Sequence, residues 1–177
     1  MAIDRDTSTQ LPAVLRPNDE VVKVAIDGVR IHQQAIRGDE RGVLLELVDT
    51  RTDFWDKPVP YMYMTTCRPG KAKGWGWHES HEDRYTILSG EMILALYDDR
   101  ADSPTRGVVQ EFYLSREGVN RIIIPIGVWH AHMNPGLVDL MFTNAPTEAF
   151  IHGNPDKRTL PLDTDLIPYK FKTGLGR

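Results

Sequence analysis

A single cysteine, Cys67, stands among 177 residues. It cannot close an intramolecular disulfide, and it fits a reducing compartment such as the cytosol. No apolar run reaches the length of a membrane span, and the opening MAIDRDTSTQLPAV lacks the apolar stretch of a signal peptide. A cytoplasmic, soluble protein with no membrane partner is therefore expected. Basic excess is also lacking: the formal net charge is -4, which gives no broad attraction for nucleic acid or an anionic lipid surface. A phosphate-bearing ligand would need a locally basic pocket. Long helical periodicity is nearly absent as well, which argues against a helix bundle.

What remains is short and β-rich. The runs VVKVAI, GVLLELV, PYMYMTT, RYTIL, EMILALY, VVQEFYL, RIIIP and GLVDLMF recur between turn signals, as in an all-β sandwich or barrel. Ser89-Gly90, between YTIL and EMILALY, suggests a tight hairpin. DDRADSPTRG, from Asp98 to Gly107, reads as a loop. Residues 1–20 are expected to form an extended arm, and residues 21–177 a single barrel domain. The proline-rich tail from Gly153 should wrap that barrel.

Two histidine clusters carry the chemistry. The first lies in GWGWHESHEDRYTILSG, Gly74 to Gly90, where His78 and His81 stand among Glu79, Glu82, Asp83 and Arg84. The second lies in GVNRIIIPIGVWHAHMN, Gly118 to Asn134. Strand alternation there puts Val128, His130, His132 and Asn134 on one face, with Trp129, Ala131 and Met133 on the other. Imidazole serves both as a metal ligand and as a proton shuttle near neutral pH, so residue type alone leaves both uses open. Arg68, Lys71 and Lys73 form a local basic patch able to meet phosphates. Trp75 and Trp77 could stack on a sugar or base, or simply pack the barrel.

Gly118, Pro125, Gly127, His130 and Asn134 resemble the second motif of the cupin superfamily, G-x6-P-x-G-x2-H-x3-N. The first motif is matched less fully. Asp83 falls at its glutamate and His78 at its second histidine, while Gly76 stands where the first histidine should be. Within the cupins, the chain is similar to the dTDP-4-dehydrorhamnose 3,5-epimerase family. Asp39-Glu40-Arg41-Gly42 with Glu46, Gly76-x-His78, Ser89-Gly90-Glu91 and Asp98-x-Arg100-x-x-Ser103-Pro104-Thr105 carry this. Leu114-Ser115 and Ile124-Pro125-x-Gly127-x-x-His130 continue the series.

The resemblance implies a cupin-type double-stranded β-helix, or jelly roll, binding a nucleotide-sugar in its mouth. It further implies a homodimer built by exchanging N-terminal strands, and no cofactor. The implied reaction moves a proton next to a 4-keto group, with His78 as base, His130 as the second pocket histidine, and Asp163 or Asp165 as the carboxylate partner of the base. Arg41 and Glu46 would meet the nucleotide and Arg68 its phosphates. Lys71, Lys73, Trp75, Arg84 and His132 are further candidates for binding substrate. Three positions depart from the pattern: Trp75 replaces an arginine, Asp83 a lysine, and Phe142 or Thr143 a tyrosine acid. Tyr63 or Tyr85 would then have to supply the proton. Two other readings stay open: a metal-dependent cupin holding a divalent transition metal through His78, His81, Asp83 and His130, and a cupin that binds sugar nucleotide without chemistry.

Overall fold

The computed structural model describes residues 23–172. The expected arm over residues 1–20 lies outside the described residues. Among the described residues, twelve short strands are arranged as two five-stranded sheets and one two-stranded ribbon. The first sheet runs β1 (Arg30–His32), β9 (Arg121–Ile124), β6 (Asp83–Ser89), β11 (Leu140–Asn144), β4 (Tyr63–Cys67). The second runs β12 (Arg158–Thr159), β5 (Ala72–Trp77), β10 (Val128–Met133), β7 (Glu91–Asp98), β8 (Val109–Ser115). The strand pairs are antiparallel, and β2 (Arg37–Asp39) pairs with β3 (Gly42–Leu44). This is an all-β jelly roll. Among the described residues no helix is long and apolar enough to cross a membrane.

The two inner faces share one apolar core. Tyr85 and Ile87 of β6, Ile122 and Ile124 of β9 and Phe142 of β11 meet Leu94 and Leu96 of β7, Phe112 of β8 and Val128 of β10. The free thiol of Cys67 is buried in the same core. Each sheet is also covered outside. Phe54 and Trp55 pack on Ile123 behind the first sheet. Behind the second, Trp75, Ala95 and Ala131 are covered by tail residues including Leu160, Ile167 and Tyr169. Because both faces of each sheet are packed, the strands read as nearly continuous apolar runs.

Three local readings need correction. Ser89-Gly90 is not a hairpin turn: β6 belongs to the first sheet and β7 to the second, so the chain crosses between layers there. Gly90 takes φ +76°, and a Cβ on it would lie 2.9 Å from the Asp139 carbonyl oxygen, so the corner requires glycine. In VVKVAI, residues 23–26 form no strand, although Val24 and Ile26 join the core. GVLLELV yields a strand only over Gly42–Leu44, because it pairs with β2 alone and leaves Val43 and Leu44 exposed.

Asp98 organises the loop between β7 and β8. Its wholly buried carboxylate accepts hydrogen bonds from Arg100 Nε and Nη2 at 2.9 and 2.8 Å, Ser103 Oγ at 2.6 Å and Thr105 Oγ1 at 2.7 Å. Burial pushes this carboxyl upward, but those donors outweigh it and hold it below the usual carboxylate range. Asp98→Ala is expected to lower the unfolding free energy by about 3 kcal/mol, measured by urea unfolding at neutral pH. A depressed folded-state pKa means this contribution is present above about pH 4 and fades as pH falls toward the folded value. The gap between wild type and variant should therefore narrow on acidification; a constant or widening gap contradicts the assignment.

Candidate functional site

One end of the barrel is filled by the apolar core, and the other opens into a cavity of about 580 Å³. Its floor is set by Asp83, at the start of β6. Strand alternation places Asp83, Tyr85 and Ile87 inward and Arg84 outward. Asp83 is 2% exposed, and three imidazoles converge on it. His130 Nε2 lies 3.3 Å from Asp83 Oδ2, His78 Nε2 lies 3.5 Å from the same oxygen, and His81 Nε2 lies 3.6 Å from Oδ1. Asn144 Nδ2 donates to Oδ1 at 2.7 Å, and the Tyr85 hydroxyl donates to Oδ2 at 3.3 Å.

The other nitrogen of each ring fixes its tautomer. His78 Nδ1 meets the main-chain oxygen of Asp156, and His130 Nδ1 meets that of Val128 at 3.2 Å. A carbonyl oxygen only accepts, so with Nδ1 donating to it each ring, when neutral, presents a bare Nε2. Burial holds His130 down to about 4, and the attraction of Asp83 opposes this without overcoming it. The His130–Asp83 contact is therefore not an ion pair at neutral pH. His81 behaves oppositely. Burial pulls it down, but Asp83 and Asp156 together outweigh that and shift it up. Asp83 itself is pushed up by burial and, on balance, held low by His81 and Asn144.

Gly76 makes this arrangement possible. Its position pairs with His130 across β5 and β10, and a Cβ there would lie 2.9 Å from His130 Nε2. The residue that departs from the first cupin motif thus clears space beside the second motif's histidine. His132 also lines the cavity; its Nε2 has no hydrogen-bond partner among the described residues, and burial lowers the ring to about 3. From the facing sheet, Tyr63 brings its hydroxyl to the wall, where it accepts from Asn144 Nδ2 at 2.9 Å. Burial, then Asp83, push this phenol up to about 12.

Several expected positions fall elsewhere. Asp163 and Asp165 are exposed on the tail, where Lys170 Nζ meets the Asp163 main-chain oxygen and the Asp165 carboxylate. That tail packs behind the second sheet, so neither carboxylate can partner His78. Arg84 is buried on the outer face of β6, donating to the carbonyls of Lys57, Pro58 and Ala145 beneath Trp55. It neither neutralises Asp83 nor reaches a ligand. The chain around Trp75 borders the cavity, but its indole is fully buried edge-on to Tyr169 and offers a ligand no face. Arg41 pairs with Asp39 on the exposed ribbon, and Glu46, Arg68 and Lys71 are exposed away from the cavity; Lys73 does border it.

The tail residue that matters is Asp156, which the sequence reading passed over. Its carboxylate accepts from Glu79 N, Ser80 N and Ser80 Oγ at 2.8, 2.8 and 2.7 Å, and lies 3.1 Å from His81 Nδ1. Burial raises Asp156, and these donors outweigh it, leaving the group at about 2. Lys157, beside it, lines the mouth with Lys73. Its only sequence signal is an acid–base pair in GNPDKRTL.

Comparison with known proteins places this geometry in a family. No protein-family profile matches the chain. A Haloferax volcanii protein described as "Probable low-salt glycan biosynthesis epimerase" is 30% identical over 139 residues, covering 78% of this chain and 89% of that one. The chain belongs to the sugar epimerases of the dTDP-4-dehydrorhamnose 3,5-epimerase family. Among solved structures, a dTDP sugar isomerase from Desulfovibrio desulfuricans superposes with a TM-score of 0.78 at 21% identity, over 84% of this chain and 94% of that one. The 3,5-epimerase of Legionella pneumophila, solved with dTDP-4-keto-L-rhamnose, gives 0.74 at 19% identity, over 87% and 84%. These last two show a shared fold.

Asp156 ties residues 79–81 to the tail, and its removal has a local signature. Asp156→Ala should speed hydrogen exchange at the Glu79 and Ser80 amides by at least ~10-fold, since each bond to a charged acceptor contributes ~1.5–3 kcal/mol. Unchanged exchange contradicts the anchoring role.

Proposed function

We propose that this protein is an epimerase or isomerase of a nucleotide-linked 4-keto-deoxysugar, with His78 as the base that moves the proton next to the keto group. One observation carries the reading: the bare Nε2 atoms of His78 and His130, from opposite ends of the sequence motifs, converge at the floor of one open cavity. A hydrogen α to a carbonyl needs a base with an available lone pair, and imidazole supplies it near neutral pH. Asp83 then serves differently from the lysine it replaces. It cannot stabilise an enolate, being an anion; it stabilises the imidazolium that forms when His78 takes the proton.

Reprotonation on the other face needs a donor from the opposite wall. Tyr63 stands there on β4, held by Asn144, and takes the part of the missing tyrosine. His130 meets a sugar oxygen. Lys73 and Lys157 at the mouth meet the diphosphate, and Tyr61 and Phe150, also at the rim, offer flat surfaces to a nucleobase. The reaction so described needs no cofactor.

Incubation with a dTDP-4-keto-6-deoxy sugar in heavy water should place deuterium at C3 or C5. His78→Ala should slow this by at least ~10²-fold, the scale of a lost general base. Wild-type protein that exchanges no faster than the variant defeats the reading. Tyr63→Phe should retain hydrogen–deuterium exchange at carbon while losing net inversion, because it removes only the second proton delivery.

The same reading takes the protein to be a cytoplasmic homodimer. Val43, Leu44 and Met64 are each more than half exposed, the first two on the ribbon and the third on the edge strand β4. A second copy would cover these apolar side chains and the open strand edge. Light scattering should give twice the chain mass for wild type and a single chain mass for a Val43→Glu, Leu44→Glu double variant; a monomeric wild type contradicts the dimer.

A further inference from the structure

We infer that Asn144 is the positioning residue for the acid half of the reaction: its side-chain amide turns the Tyr63 hydroxyl proton toward the cavity, and so sets how often a deprotonated sugar is inverted instead of restored. The inference rests on the epimerase reading above. Asn144 is wholly buried on β11, in register with Tyr63 on β4 and with Tyr85 on β6. It belongs to neither histidine cluster of the sequence.

The amide is oriented from two sides. Arg84 N donates to its Oδ1 at 3.0 Å, and the Asp83 carboxylate oxygen, 2.7 Å from Nδ2, can only accept. The second hydrogen on Nδ2 goes to the Tyr63 oxygen at 2.9 Å. A hydroxyl has one proton, and while its oxygen accepts from the amide that proton points elsewhere. Among the described residues no acceptor takes it, and Tyr63 borders the cavity. Tyr85 is the contrast: its buried hydroxyl donates to Asp83 Oδ2 at 3.3 Å, so its proton is engaged by the carboxylate. Of the two phenols in register with Asn144, only Tyr63 keeps its proton free for a ligand.

The same amide accounts for the phenylalanine at position 142. Phe142 pairs with Thr65 on β4, and Asn144, two residues further on the same inward face, pairs with Tyr63. A phenol on the neighbouring strand thus stands in for one on β11 itself. When Tyr63 delivers its proton, its O–H bond breaks and the enolate's electron pair forms the new C–H bond as the keto group is restored. Negative charge then rests on the phenolate oxygen, near the Asp83 carboxylate, whose charge disfavours it. The hydrogen bond from Asn144 strengthens as that charge develops. His78 afterwards releases its captured proton to water and Tyr63 regains one, which resets the site.

In heavy water, deuterium at carbon counts proton removal and the product epimer counts inversion. Asn144→Ala should lower inversion at least ~10-fold more than it lowers exchange, since it removes a hydrogen bond to a developing charge. In Tyr63→Phe protein the same substitution should alter the ratio of inversion to exchange by no more than ~2-fold, because the amide acts through the phenol. A merely structural role would lower exchange and inversion alike; that result, or effects that multiply in the double variant, overturns the inference. A second measurement holds even where Asn144→Ala fails to fold. In 15N spectra of the asparagine side chains, with Asn144 assigned by its contacts to the Tyr63 ring, Tyr63→Phe should move one Nδ2 proton upfield and leave the one bonded to Asp83 in place. Two unmoved protons overturn the hydrogen bond. Wild-type protein that exchanges no deuterium defeats the epimerase reading instead, and the amide spectra then decide the orientation of Asn144 alone.

Discussion

A single buried carboxylate sets the terms for this active-site floor. Asp83 lies at the bottom of a β-walled cavity with its charge held against burial by Asn144 and His81. An isolated ionised carboxylate in such a place would be prohibitively costly, so its surroundings must supply donors or cations. Two of the three imidazoles around it have committed their protons to backbone carbonyls. They cannot donate to Asp83 while neutral. In the proposed reaction, the proton taken from the sugar supplies a positive charge beside this carboxylate.

The fold brings these groups together. His78 directly follows β5, His130 sits on β10 beside that strand, and Asp83 opens β6 in the other sheet. Chain crossings at Gly90 and at Pro125-Ile126-Gly127 carry each motif from one layer to the other, which is why residues far apart in sequence meet. The packed outer faces hold both layers in place. The tail does double work: its apolar residues cover the second sheet, while Asp156, upstream of them, reaches around the sheet end to orient His78 and His81.

Much of this was legible in the sequence, for identifiable reasons. Alternation in VWHAHMN separated His130 and His132 from Trp129 and Ala131, and the structure divides them between the inner core and the outer cluster in the same way. β-branched runs marked strands wherever both faces were to be packed. The reading failed where partner identity mattered. Ser89-Gly90 has hairpin chemistry, yet no local signal tells which sheet the following strand will join. Asp163 and Asp165 resembled a catalytic carboxylate by position in the tail, but the tail's apolar spacing, not its acids, decides which face it covers. Asp156 acts on His78 through its main chain, and a backbone carbonyl has no sequence signature. Arg84 illustrates the period-two rule in reverse: being adjacent to Asp83 on a strand places it on the opposite face.

The claim beneath all of this is that His78 and His130 each keep the proton on Nδ1 and offer a bare Nε2 toward Asp83. Long-range 1H–15N correlation spectra of the histidine side chains in metal-free protein at neutral pH test it directly. The account predicts the Nδ1–H tautomer for both rings, with unprotonated Nε2 shifts. Observation of the Nε2–H tautomer at either ring would mean that it donates to the carboxylate, and the floor would then hold no free base there.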